Sequence, residues 1–236
     1  MKRIFAVSAF SFAFVGLVFA NPSRTLSPLV HDAWQRCESK AVAAAAVGDY
    51  THALALLDGG IYSGGVSLGL NESSLGRNRA RAHVAFARAT QYWQDALGSD
   101  CPLRVSTPGE VPQTLVSLVD AIPGDGGELG LIEMKKSYQW TAASFTCGTK
   151  AKISVMRSFE RKPLSEEEMT EVMAHEIGHL LGLADVEQPG FLMGPMDRDH
   201  LTHGPTQTEV DAVVSMRHDF KASYRMYLGN ARLNRP

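Results

Sequence analysis

Basic residues are too few here for a protein that grips a polyanion: the 236 residues hold 23 Lys and Arg against 25 Asp and Glu, a formal charge of −2. Nucleic acid is therefore not an expected partner, because binding to phosphates needs a basic excess. Cysteine is sparse as well, at three. That is too few for a disulfide framework, and a chain of this length buries a core without one. No Gly-X-Y run, heptad array or charged tract occurs, which excludes collagen, coiled coil and acidic tail. Beyond residue 20 no apolar run is long enough to cross a bilayer,. What is there, 44% hydrophobic and 20% charged residues, is the composition of a folded globular protein.

The one long apolar run comes first. Met1-Lys2-Arg3 precedes the uncharged stretch from Ile4 to Ala20, with Val18 and Ala20 at the −3 and −1 positions before Asn21. Residues 1–20 are expected to be a cleaved signal peptide, the alternative being an uncleaved anchor. Asn21 in place of cysteine gives no sign of a lipid-modified terminus. Cleavage leaves 21 basic and 25 acidic residues, a charge of −4. The mature chain is expected to be a soluble monomer, extracellular or periplasmic, with no membrane attachment. Disulfides persist in such compartments. Cys101 and Cys147 both lie in strand-rich sequence and are the expected pair, a closure that would contribute about 3–4 kcal/mol. Cys37 is then left over.

Residues 29–57 hold two helix-like stretches broken at Gly48-Asp49-Tyr50. They resemble one tetratricopeptide-type hairpin, which cannot bury its own face and has no second copy here. The segment 21–60 is either a permanent helical extension or a removable pro-segment. Glycines at 59, 60, 64 and 65 mark a boundary. Beyond it come a strand at 66–70, a helix at 76–97 and short β-like runs at 103–106, 114–119, 129–134, 141–146 and 152–157. A helix is expected at 165–181, a loop to about 204, and a last helix at 206–220. The fold class is α+β, with a main domain at 61–222 and a tail at 223–236.

Residues 175–185 carry the chemistry: His175-Glu176-Ile177-Gly178-His179-Leu180-Leu181-Gly182-Leu183-Ala184-Asp185. Ser165 and Glu168 form a capping-box pattern that starts this helix. On a helix His175 and His179 lie about 40° apart, with Glu176 about 60° beyond His179. Two imidazoles can thus bind one Zn²⁺ from a single face, with a third protein ligand and a water completing the site. The metal lowers the pKa of that water, and Glu176 can take its proton and pass it to the leaving amine. Gly182 tolerates the left-handed conformation that a sharp helix stop needs. Asp185, three residues later, is the natural third ligand. Its carboxylate would make a weaker Lewis acid than a third histidine and favour neutral to alkaline pH.

These residues resemble the metzincin zinc peptidases, within them the matrixin-like and snapalysin-like families. Matrixins usually have His where Asp185 stands; the snapalysin-type bacterial peptidases have Asp. Leu192-Met193-Gly194-Pro195 is similar to the L-M-x-P turn beneath the metal, which makes Met193 the Met-turn residue and Met196 the fallback. The order of elements over residues 61–222 follows the same families. The resemblance implies a metzincin-like domain with a twisted mixed sheet, a long N-terminal helix, an active-site helix and a C-terminal helix. It also implies an edge strand, for which Leu129–Met134 is the candidate, that pairs with extended protein or peptide substrate. The loop Gly124–Gly130 lacks the family's histidines, so neither calcium nor a structural zinc is assigned. Cys37, in QRCESK, does not match the family's inhibitory cysteine motif. His200 and His203 follow the Met-turn and could line the cleft, though solvated loop histidines are the simpler reading. Asn71-Glu72-Ser73 fits a glycosylation acceptor. Two other functions stay open: a zinc peptidase whose third ligand lies elsewhere, such as Glu209, and a non-catalytic zinc-containing binding module.

Overall fold

The computed structural model describes residues 27–61, 65–123, 128–140 and 145–233. The expected signal peptide and most of the loop before Leu129 lie outside them. The order is α1 (Asp32–Ala46), α2 (Tyr50–Ile61), β1 (Val66–Leu70), α3 (Glu72–Leu75), α4 (Arg79–Leu97), β2 (Leu103–Val105), β3 (Thr114–Val119), β4 (Gly130–Trp140), β5 (Phe145–Met156), β6 (Ser158–Phe159), β7 (Lys162–Pro163), α5 (Glu166–Leu180) and α6 (Gln207–Leu233). This is α+β, as the sequence pattern implied. Among the described residues no helix is long and apolar enough to cross a membrane.

Five strands form one mixed sheet in the order β2-β1-β3-β5-β4. β1, β2, β3 and β5 are mutually parallel, and β4 closes the edge antiparallel to β5. Parallel strands are covered and read as apolar runs, and Leu68, Val116, Leu118, Ile153 and Val155 are buried. Helix α4 packs on this core through Ala82, Ala85, Phe86, Ala89 and Trp93, a spacing that lines one helix face. Its Trp93 indole donates to the Ala174 carbonyl in the middle of α5 at 2.8 Å, so the sheet-packed helix fixes the height of α5.

The runs expected at 129–134 and 152–157 belong to one long antiparallel pair, β4 reaching on to Trp140 and β5 starting at Phe145; most of the run expected at 141–146 lies outside the described residues. β3 pairs with β5 only from Ala151 onward, while β4 and β5 stay paired out to Trp140 and Phe145. Among the described residues the outer part has no third strand. It therefore needs no apolar alternation, which is why the polar run around Lys135 and Lys136 looked like a break.

The N-terminal hairpin finds its missing face on α6. Val30, Trp34, Ala41, Ala53, Leu54 and Leu57 form a second core with Met216, Phe220 and Tyr227. Trp34 meets Phe220 edge to face at 6.4 Å. Helix α6 consequently runs on to Leu233 rather than ending near 220. Just before α1, Val30 bridges Leu183, with hydrogen bonds from His31 N–H to the Gly182 carbonyl and from Ala184 N–H to the Leu29 carbonyl. Cys37 lies partly buried against this second core.

The expected Cys101–Cys147 bridge is not formed: Cys101 keeps a free thiol. Cys101 leads into β2 at one edge while Cys147 sits on β5, with β1 and β3 between. Three strand spacings are about 14 Å, twice the reach of a disulfide.

Candidate metal centre

Helix α5 begins with a reciprocal capping box. The Ser165 hydroxyl accepts from Glu168 N–H, and the Glu168 carboxylate accepts from Ser165 N–H. Met169, Val172, Met173, Ile177 and Leu180 bury the face turned to the core. His175 and His179 lie toward a cleft of about 800 Å³, their ring centroids 4.8 Å apart. Ligand atoms of His175, Glu176 and His179 lie within 4.8 Å of one another, a group able to hold a metal ion.

The helix stops at Gly182, whose φ of +106° is left-handed and open to glycine at little cost. A side chain there would also press on Met216 and Trp34. The chain then reverses and carries Asp185 back. Its Oδ1 lies 3.0 Å from His175 Nε2 and 3.3 Å from His179 Nε2.

The other ring nitrogens are already engaged. His175 Nδ1 is 2.8 Å from the Leu192 carbonyl, and His179 Nδ1 is 3.0 Å from the Leu183 carbonyl. A carbonyl only accepts, so each Nδ1 carries a proton, and the neutral ring has its lone pair at Nε2. Two lone pairs and a carboxylate oxygen therefore converge on one point. Without a cation, both contacts to Asp185 need protons on both Nε2 atoms, which sets two imidazolium ions side by side. Tetrahedral zinc at about 2.0–2.1 Å from each ligand requires ligand separations of about 3.3 Å. The donor set fits a zinc ion.

Charge follows the same geometry. Without an ion between them, hydrogen bonds from His175 and then His179 would hold the Asp185 carboxyl far below its usual range. Burial works against the His179 imidazolium, but Asp185 and the Leu183 carbonyl outweigh it and raise its pKa. Burial pushes Glu176 above the ordinary carboxylate range, opposed by His179 and His175 and reinforced by Asp185 and Glu128.

No family model matches this chain, and no curated protein matches it. The chemistry has to follow from the residues themselves.

Met193 is buried directly beneath α5, where its sulfur fills the space a side chain at Gly178 would take. Met196 lies further along, lining the cleft. Glu209 is fully buried and away from ligand duty. Its Oε1 accepts from Met193 N–H at 2.7 Å, and its Oε2 accepts from Thr206 N–H and the Thr206 hydroxyl. Thr206-x-x-Glu209 is itself a capping-box pattern, so this anchor was legible in the sequence and went unread. His200 bonds Asp197 at the surface, and neither His200 nor His203 lines the cleft.

Gly130 carried no sequence signal. A Cβ there would collide with the Glu176 carboxylate, so glycine lets edge strand β4 close over that group. Gly130, Leu131 and Ile132 form the wall of the cleft opposite α5.

Proposed function

We propose that this chain is a secreted zinc-dependent endopeptidase of the metzincin type, acting as a monomer on protein or peptide substrates. The observation that carries the reading is the convergence of His175 Nε2, His179 Nε2 and Asp185 Oδ1, with both Nδ1 atoms occupied by backbone carbonyls.

His175, His179 and Asp185 would hold the ion. When bound, zinc supplies Lewis acidity that polarises a carbonyl and makes water acidic enough to attack near neutral pH. Glu176 is buried, poorly solvated and adjacent to that point. It takes a proton from the attacking water and returns it to the leaving amine. The free edge of β4 offers backbone N–H and C=O groups to an extended peptide, as strand addition requires. Gly130 lets that strand lie close to the base, and Met193 supports the histidines from below. The basic start and apolar run of residues 1–20 support export, and a mature charge of −4 gives no reason to expect nucleic acid.

Casein hydrolysis that a chelator abolishes and zinc restores would support this function; hydrolysis untouched by chelation would refute it. The ligand set is tested by zinc content after mild chelator dialysis. Asp185→Ala should lose metal and activity, Asp185→His should keep metal, and His200→Ala with His203→Ala should match the parent. Zinc retained by Asp185→Ala and lost from the double histidine variant would overturn the assignment.

A further inference from the structure

Glu171 is a carboxylate that the chemistry above leaves unused. It lies one turn before His175 on α5, a spacing that puts both on one helix face. It is 4% exposed, yet it lines the same cleft as His175. Apolar residues of the same lining include Ile132, Phe159, Val172 and Met196. Its Oε2 accepts from Thr202 N–H at 3.0 Å, and the imidazoles near it are those of His175 and His203. Among the described residues no lysine or arginine pairs with it. Arg198, the basic residue lining the cleft, is taken: its guanidinium pairs with Glu168 and lies 5.8 Å over the Phe159 ring.

Carboxylates are seldom buried without a cationic partner. Of the other carboxylates lining the cleft, Glu176 and Asp185 belong to the proposed zinc chemistry and Glu128 and Glu187 are exposed, which leaves Glu171 as the buried one without a task. With apolar residues in the same lining, it suits a side chain with an aliphatic stem and a charged head. We infer that Glu171 selects a lysine or arginine side chain of the substrate next to the scissile bond, which makes the substrates cationic peptides; this rests on the peptidase reading. The stem lies against Val172 and Met196, and the head supplies the cation that the protein withholds from Glu171. In the rival account Glu171 only anchors the 197–206 loop through Thr202.

Glu171→Gln separates the two, because glutamine keeps size and a carbonyl for Thr202 N–H while removing charge. Peptides carry lysine or norleucine at each position within two residues of the scissile bond. The expected result is a lysine-to-norleucine ratio in kcat/KM of at least about tenfold at one position, falling to about one in Glu171→Gln. Calorimetric titration of Glu176→Gln with the same peptides reads binding without turnover. Lysine peptides should bind tighter there, and the preference should vanish when Glu171→Gln is added. A wild-type ratio near one, or a ratio unchanged by Glu171→Gln, overturns the inference. If no peptide is cleaved at all, the peptidase reading fails, and the titration alone decides whether the cleft holds a cation.

Discussion

One methyl group at position 130 would reach Glu176, the proposed general base. Gly130→Ala is expected to displace the Glu176 carboxylate, because the added carbon and that group claim the same space. Misplacing a catalytic group by about 1 Å costs about 10²-fold in rate, so kcat should fall by that order while zinc content holds. Unchanged kcat in the purified variant would show that β4 does not confine the base. Glu168 sets a different limit, on acid stability. Burial works to raise its pKa, but the Arg198 guanidinium and Ser165 N–H outweigh burial and lower it. Its stabilising effect is thus complete above the ordinary value of 4.5 and lost as pH falls through the lowered folded value. Glu168→Gln should therefore flatten the fall in unfolding free energy below pH 4.5, measured by denaturant titration. An unaltered acid limb would remove the Glu168–Arg198 pair from the account.

The element that ties the molecule together is the N-terminal hairpin. Its leading residues bridge Leu183, whose carbonyl holds His179 Nδ1, two residues before Asp185. Trp34 lies under Gly182 and against Phe220. A segment built into the support of two proposed ligands is poorly suited to removal, so the proposed secreted form is expected to begin near Asn21. Mass spectrometry giving a start near residue 60 would contradict this. Trp34→Ala should destabilise by about 3–5 kcal/mol and weaken zinc retention together, seen in unfolding titrations and metal analysis; loss of stability with full zinc retention would uncouple the hairpin from the site. Such long-range ties leave little trace in sequence. Helix α5 was legible because a capping box, an apolar stripe and a glycine stop are all local. The length of α6 was not, because Tyr227 packs against Tyr50 and the rest of the N-terminal hairpin, far away in the chain. Glu171 was likewise invisible: its significance comes from the cavity it borders, not from its neighbours in the chain.

At the scale of the whole molecule, a sheet core, two packed helices and an edge strand combine to hold one cleft. The sheet and α4 set the position of α5; the N-terminal hairpin and α6 fix the turn that returns Asp185; Glu209 on α6 holds Met193 in place. All of these converge on the claim that Glu176 moves a proton beside a metal that it does not need to bind. Peptide hydrolysis by the full chain and its Glu176→Gln variant, with zinc counted on the same samples, tests that claim most directly. The account predicts one zinc per chain in both proteins and turnover lower by about 10²–10⁴-fold in the variant. Equal turnover in the two proteins, or a variant that has lost its zinc, would contradict it.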